Sequence, residues 1–241
     1  IKNVLLVDED ECCKVGMVQT DVLHFLSLDE KNKALINRVR FLLPLHSEQV
    51  HLIARKDISS INELKRGNRL IAIDNDQTGT FLLATTLLNA IGVNSDTYVK
   101  KGAGRALELL RLEKLDAMVY VGGSPVDLLE KGLSADLHIL DILPSDIAPL
   151  PVGKNEIYQP TIIPSNAYSW LNRDVSTIGV RAVLMTFNYK GTYCRGVRRF
   201  LNVLQNNYKT LALKNPDRWD SVNFNLTSPT GWKQFQPDEC N

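Results

Sequence analysis

Short apolar runs alternate with helically spaced apolar positions along most of the chain, the pattern of strands alternating with helices. The clearest unit opens with Arg69-Leu70-Ile71-Ala72-Ile73, a strand-length run over 69–73. It breaks at a polar stretch over 74–80. A helix follows, carrying Leu82, Leu83, Thr86, Leu87 and Ala90 at helical spacing, with Gly92 placed to end it in the left-handed region. A second unit runs from a helix over 106–113 into a strand over 116–121, which stops at Gly122-Gly123-Ser124-Pro125. A short helix over 126–131 ends at Gly132, and 137–142 reads as the next strand. The flanks differ. Residues 49–55 and 178–186 read as strands, and Val197, Phe200, Leu201, Leu204, Tyr208 and Leu211 mark a long amphipathic helix. Alternation over 1–6 reads as a strand, and the prolines between 144 and 164 as an irregular crossing segment. The middle, about 58 to 175, is then a compact lobe with parallel-sheet units, inserted between two flanking pieces.

Composition narrows the class. The chain has 241 residues, enough for one large domain or two small ones, and 44% hydrophobic content excludes a disordered chain. With 28 basic against 27 acidic side chains, no basic field for nucleic acid or an anionic membrane is present. No apolar run reaches the ~18–20 residues of a membrane-spanning helix. Cys12, Cys13, Cys194 and Cys240 show no CxxC pair, so neither a zinc ribbon nor a thioredoxin-type site is signalled. Free thiols and a Cys194–Cys240 bridge, the latter requiring export, are both compatible with the spacing.

Several motifs lead nowhere. Asp74-x-Asp76-x-Thr78-Gly79 imitates the start of a calcium loop, but its twelfth position is Thr85 rather than a bidentate carboxylate. Gly102-Ala103-Gly104 lacks the third small residue of a dinucleotide fingerprint, where Leu107 stands. Gly122-Gly123-Ser124-Pro125-Val126 fails as a nucleophile elbow because Val126 takes the place of the second glycine. His24, His46, His51 and His138 have no metal-ligand spacing and no catalytic partner motif. No nucleophile, acid–base pair, metal set or cofactor motif emerges, so an enzyme is not expected.

Position is more informative. Two strand ends, Ile73 and Val121, each give way to small polar residues at a helix start, and ligands of open α/β sheets sit outside the carboxyl ends of strands. N–H groups at Thr78, Gly79 and Thr80, or at Gly123 and Ser124, are candidates to hold a carboxylate or phosphate. Ordinary capping by Thr78 or Ser124 accounts for the same residues without a ligand. Arg105 is a candidate counter-charge, against the commoner fate of a solvated surface arginine.

These residues also fit a family pattern. Leu64-Lys65-x-Gly67-x-x-Leu70-Ile71-Ala72-Ile73, Thr78-Gly79-Thr80 and the run from Lys114-Leu115-Asp116 through Tyr120-Val121-Gly122-Gly123-Ser124-Pro125 occur in order. Together with Val15-Gly16-Met17-Val18-Gln19-Thr20-Asp21-Val22 and the segment 174–186, they resemble the TAXI family of solute receptors for TRAP-type transporters, over nearly the whole chain. The resemblance implies a type II periplasmic binding-protein fold: two α/β lobes, a hinge and an interlobe cleft. Residues 1–57 and 178–241 would form lobe one, and 58–177 lobe two. It further implies a periplasmic or extracytoplasmic protein that binds a small organic anion, an amino acid or carboxylate, and delivers it to a membrane permease. By motif position the ligand contacts are Gln19 and Thr20 from lobe one, and Gln77, Thr78, Gly79, Thr80, Tyr120, Gly122, Gly123 and Ser124 from lobe two.

Two departures accompany the match. Family members begin with a glycine-rich strand–turn–helix, and this sequence starts beyond it, so lobe one is expected to lack that piece and residues 1–6 to end a helix. The stretch Leu43-Pro44-Leu45-His46-Ser47 also lacks an expected tyrosine. The alternatives within the same fold are a ligand-sensing regulatory module and a degenerate homologue that no longer binds.

Overall fold

A computed structural model describes residues 1–9, 13–153, 156–219, 222–224 and 232–240, so Cys12 lies outside the described residues. In chain order the elements are α1 (Lys2–Glu9), β1 (Gly16–Gln19), α2 (Thr20–Ser27), α3 (Lys33–Arg38), β2 (Val39–Arg55), β3 (Ile71–Ala72), α4 (Gly79–Ala90), β4 (Tyr98–Val99), α5 (Ala103–Arg111), β5 (Ala117–Gly122), α6 (Asp127–Glu130), β6 (Leu137–Ile139), β7 (Tyr158–Ile163), β8 (Val175–Phe187), α7 (Gly191–Lys214) and α8 (Pro216–Trp219). They form two compact units, Ile1–Ser47 with Arg181–Asn241, and Glu48–Val180. The chain passes from one to the other inside β2 and again inside β8. The sequence pattern draws the first boundary ten residues later, because it sees β2 only from residue 49 onward.

The unit Glu48–Val180 is a three-layer α/β arrangement. β2 pairs antiparallel with β5, from Gln49↔Gly122 to Ala54↔Ala117. β3 runs parallel to both β5 and β4, with Ile71 opposite Ala117 and Tyr98. β6 adds to β2, and β7 pairs antiparallel with β8. Alternation sends Val50, Leu52, Ala54, Ile71, Ile73, Val119 and Val121 to one face, where Leu83, Leu87 and Leu88 of α4 cover them. Ile53, Ala72 and Met118 point to the other face, against Ala106, Leu107 and Leu110 of α5. Each strand is thus apolar on both sides, which is why 69–73 and 116–121 read as continuous apolar runs.

The other unit is smaller in sheet and richer in helix. β1 pairs antiparallel with the end of β8, from Gly16↔Met185 to Gln19↔Ala182. Leu42, Leu43 and Leu45 of β2, Ala182 and Leu184 of β8, and Cys194 and Val197 of α7 share a core with Val222, Phe235 and Cys240. Cys194 and Cys240 are joined in a disulfide.

Three elements depart from the sequence pattern. Residues 2–6 belong to a helix that continues to Glu9, rather than to a strand or to a helix ending by residue 6, because Val4 and Val7 are buried three positions apart while Leu5 and Leu6 face outward. The proline-rich stretch contains β7, and Pro160, opposite Ile178, is tolerated there because β7 is held along one side by β8. β2 is 17 residues long, since burial of Val39, Phe41, Leu42, Leu43 and Leu45 keeps it extended through Pro44.

Candidate functional site

β3 and β5 are parallel neighbours in one unit, with Ala72 at the end of β3 opposite Met118, four residues before the end of β5. The loop after β3, with Gln77–Thr80, and the end of β5, with Tyr120–Ser124, therefore both follow strands that run in the same direction toward one edge of the sheet.

The first loop is shaped by its own side chains. Thr78 has extended backbone angles, its Oγ1 accepts the Phe81 N–H at 3.0 Å and donates to the Asn75 carbonyl at 3.1 Å. This is N-capping of α4 as the sequence predicts. Asp74 and Gln77 both have left-handed backbone, at φ 68° and 70°, and Asp74 Oδ1 accepts the Asn75 N–H at 2.8 Å. Asp tolerates that region through such local bonding, and the Gln77 backbone is held there at a cost of order 1 kcal/mol. The loop is also tied sideways. Lys100, after β4, pairs with Asp76 at 2.8 Å and sits 5.4 Å above the Phe81 ring. Gly102, the N-cap just before α5, lets Asn75 approach, since a Cβ there would stand 3.3 Å from Asn75 Nδ2. Gln77 is exposed, Thr78 and Gly79 are half-buried, and Thr80 is buried on the sheet side of α4.

The second loop is anchored from behind. Gly122 ends β5 where a Cβ would meet the Tyr120 ring at 2.8 Å, so the ring folds over the glycine. The Ser124 N–H, a ligand-donor candidate in the sequence, is already engaged by Gln49 Oε1 at 2.9 Å. The Val126 N–H donates to the Tyr168 hydroxyl at 3.0 Å, and that hydroxyl lies 2.9 Å from His51 Nε2. His51 Nδ1 is 3.1 Å from the Gln49 carbonyl. Burial lowers the His51 pKa to about 4, so the ring is neutral near pH 7.

Gln49, His51 and Tyr168 escaped the sequence reading. The signal for His51 was one polar residue on a doubly apolar strand; nothing local marks Tyr168, 117 positions away. Arg105 is more than half exposed and pairs with Glu108 at 2.6 Å, the surface fate rather than the counter-charge.

Gln19 and Thr20 belong to the other unit. Gln19 is the last residue of β1 and precedes α2; Thr20 opens the helix and is buried, as is Asp21, whose Oδ1 accepts the Val22 N–H at 2.8 Å. An acidic side chain in a first helical turn is favourably placed against the helix dipole. Among the described residues, no group of three or more His, Cys, Asp or Glu is placed to hold a metal ion, and no helix is long and apolar enough to cross a membrane.

A mixed α/β chain of two units, with polar loops following its strands, has the fold of the periplasmic binding proteins. The chain belongs to the NMT1-like family, whose sequence pattern matches residues 1–189. Among solved structures it is similar to XAC2383 from Xanthomonas citri, solved bound to ATP, at 13% identity and a TM-score of 0.51, over 99% of this chain and 77% of that one. A histidine kinase sensor domain with similarity to periplasmic binding proteins shares 14% identity at a TM-score of 0.49, over 91% and 74%. The arginine-bound protein Tv2483 shares 13% at 0.48, over 94% and 74%.

Proposed function

We propose that this protein is the extracytoplasmic solute receptor of a TRAP-type transporter of the TAXI kind, binding a small organic anion, an amino acid or carboxylate, for delivery to a membrane permease. The observation that carries the reading is the parallel pairing of β3 with β5, which sends the small-residue loops that follow them toward the same edge of the sheet, where ligands of open α/β sheets bind. The start of α4 supplies main-chain N–H donors at Gly79 and Thr80 and the positive end of a helix of 12 residues. Thr78, Thr80, Tyr120 and Ser124 add hydroxyls, Gln77 an amide, and Gly122 and Gly123 permit close approach to the backbone. Gln19 and Thr20, at the strand-to-helix junction of the other unit, are proposed as further contacts. Binding rather than turnover fits a loop pair without nucleophile or acid–base pair. Export fits the Cys194–Cys240 disulfide, a bond that persists in oxidising compartments.

A thermal-shift series with L-glutamate, L-glutamine, 2-oxoglutarate and L-arginine methyl ester tests the reading. A ligand at ~100 times its dissociation constant adds about 2.7 kcal/mol, which at this chain length raises the midpoint by roughly 5–10 °C. A rise of that order with one or more of the carboxylates is expected. A rise with the esterified cation alone would overturn the anion preference, and no rise with any carboxylate would overturn receptor function for this ligand class.

A further inference from the structure

The backbone after β5 leaves the sheet at Gly122, the last residue paired with β2, so the N–H groups of Ser124 and Val126 depend on side chains. Those side chains form one connected set. Val126 donates to the Tyr168 oxygen at 3.0 Å, so the Tyr168 hydroxyl hydrogen is directed to His51 Nε2, 2.9 Å away. Nε2 is then the accepting nitrogen, and Nδ1 carries the hydrogen and donates to the Gln49 carbonyl at 3.1 Å. The side chain of the same Gln49 returns to the loop and accepts from Ser124 at 2.9 Å. The circuit thus begins and ends on the loop and passes through the sheet face that packs against α5.

We propose that Gln49, His51 and Tyr168 are positioning residues, a buried relay that fixes the backbone of residues 122–126 in the conformation the binding surface uses. The reference to a binding surface rests on the function proposed above; the fixing of the loop does not.

Burial makes the relay consequential. His51 has no exposed surface and Tyr168 only 3%. The Tyr168 ring stacks on Trp170 at 5.0 Å, and Trp170 Nε1 donates to the Leu129 carbonyl of α6 at 2.8 Å, so the hydroxyl is presented from a fixed frame. Removing it strands a donor on the loop and an acceptor on His51, both away from water. Gln49 is only half-buried, so its acceptor can be changed without opening the core.

The test compares Tyr168→Phe, Gln49→Met and Gln49→Glu, the last keeping an acceptor for Ser124. Amide exchange of individual residues is followed by NMR well below the melting point, with L-glutamate and 2-oxoglutarate affinities measured calorimetrically on the same samples. The expected result is exchange faster by about tenfold or more at Val126 in Tyr168→Phe and at Ser124 in Gln49→Met. Val119 of β5 and Leu87 of α4 should keep wild-type protection, and Gln49→Glu should restore Ser124. Where the wild type binds either carboxylate, the two disrupting variants should bind it about tenfold more weakly. Exchange that rises equally across the unit, or loop amides that do not respond, would overturn the relay. A wild type that binds neither carboxylate fails the proposed function for those ligands, and the exchange results still decide the relay.

Discussion

At the scale of the residue, His51 sits in an environment far from that of a free side chain in water. It is enclosed by Tyr120 and Tyr168, with ring centroids at 6.2 and 6.0 Å, and both ring nitrogens are engaged. Protonation would place a charge in the core, and this burial holds its pKa near 4 against 6.5 when free, although the Gln49 carbonyl favours the charged ring. The unfolded chain therefore binds more protons than the folded one below pH 6.5. The stability that neutral His51 contributes is complete above that pH and is lost as pH falls toward 4. Between about pH 7.5 and pH 5 the loss from this one residue should be about 2 kcal/mol. Denaturant titrations at the two pH values should show that loss in the wild type. The His51→Gln variant, less stable at neutral pH, should lack most of the pH dependence. An unchanged dependence would place the titration elsewhere. None of this was visible at residue 51 alone. A histidine within Val50-His51-Leu52-Ile53-Ala54 announces a buried polar group, but its partner is 117 positions on and no periodicity connects them.

Elements show where sequence pattern suffices and where it does not. α4 was legible because its signals are local: Thr78 caps it, Leu83 and Leu87 face the sheet, and Gly92 leaves it at φ 81°. Thr78→Ala should cost about 1 kcal/mol in a chemical unfolding curve, and Thr78→Ser should recover most of it. A loss confined to Thr78→Ala supports capping by the hydroxyl, while an equal loss in both would assign it to the methyl group. β2 and β7 were legible only in part, since their order comes from partners rather than from their own residues. Pro44 and the polar run from His46 to Gln49 hide a strand that β5 and the buried side chains of Val39 to Leu45 keep extended. Pro160 hides one that β8 holds. Periodicity misread α1 where the family resemblance expected a helix, as so few residues with apolar positions fit both periods until burial chooses Val4 and Val7. The candidate site followed the same division. Loops 74–80 and 122–124 lie at strand ends that composition marks, whereas the Gln49–His51–Tyr168 relay behind them is purely tertiary.

For the whole molecule, the segment beyond β8 raises a question of stability that the family pattern, ending at residue 189, does not address. α7 runs 24 residues yet only Cys194 and Val197 are fully buried, while Phe200, Val203 and Leu213 are exposed. The end of the chain is attached by Val222, Phe235 and Cys240 in the core, by a short backbone pairing of Phe41 with Lys233 and Phe235, and by the disulfide. The covalent link should supply a large part of this attachment. Closing a loop with a sequence separation of 46 removes unfolded-state entropy equivalent to about 4 kcal/mol in the chain-entropy account. Non-reducing intact mass should first show the loss of two hydrogens relative to the reduced chain. Reduction, or Cys194→Ser with Cys240→Ser, should then lower stability by about 2–4 kcal/mol. Amide exchange should accelerate in α7 and residues 232–240 but remain unchanged in α4 and β5, whose core contains no residue from that segment. Equal acceleration in α4 and β5 would show that the two units unfold as one cooperative body, and an unchanged stability would show that packing at Val222 and Phe235 holds the segment without the bond.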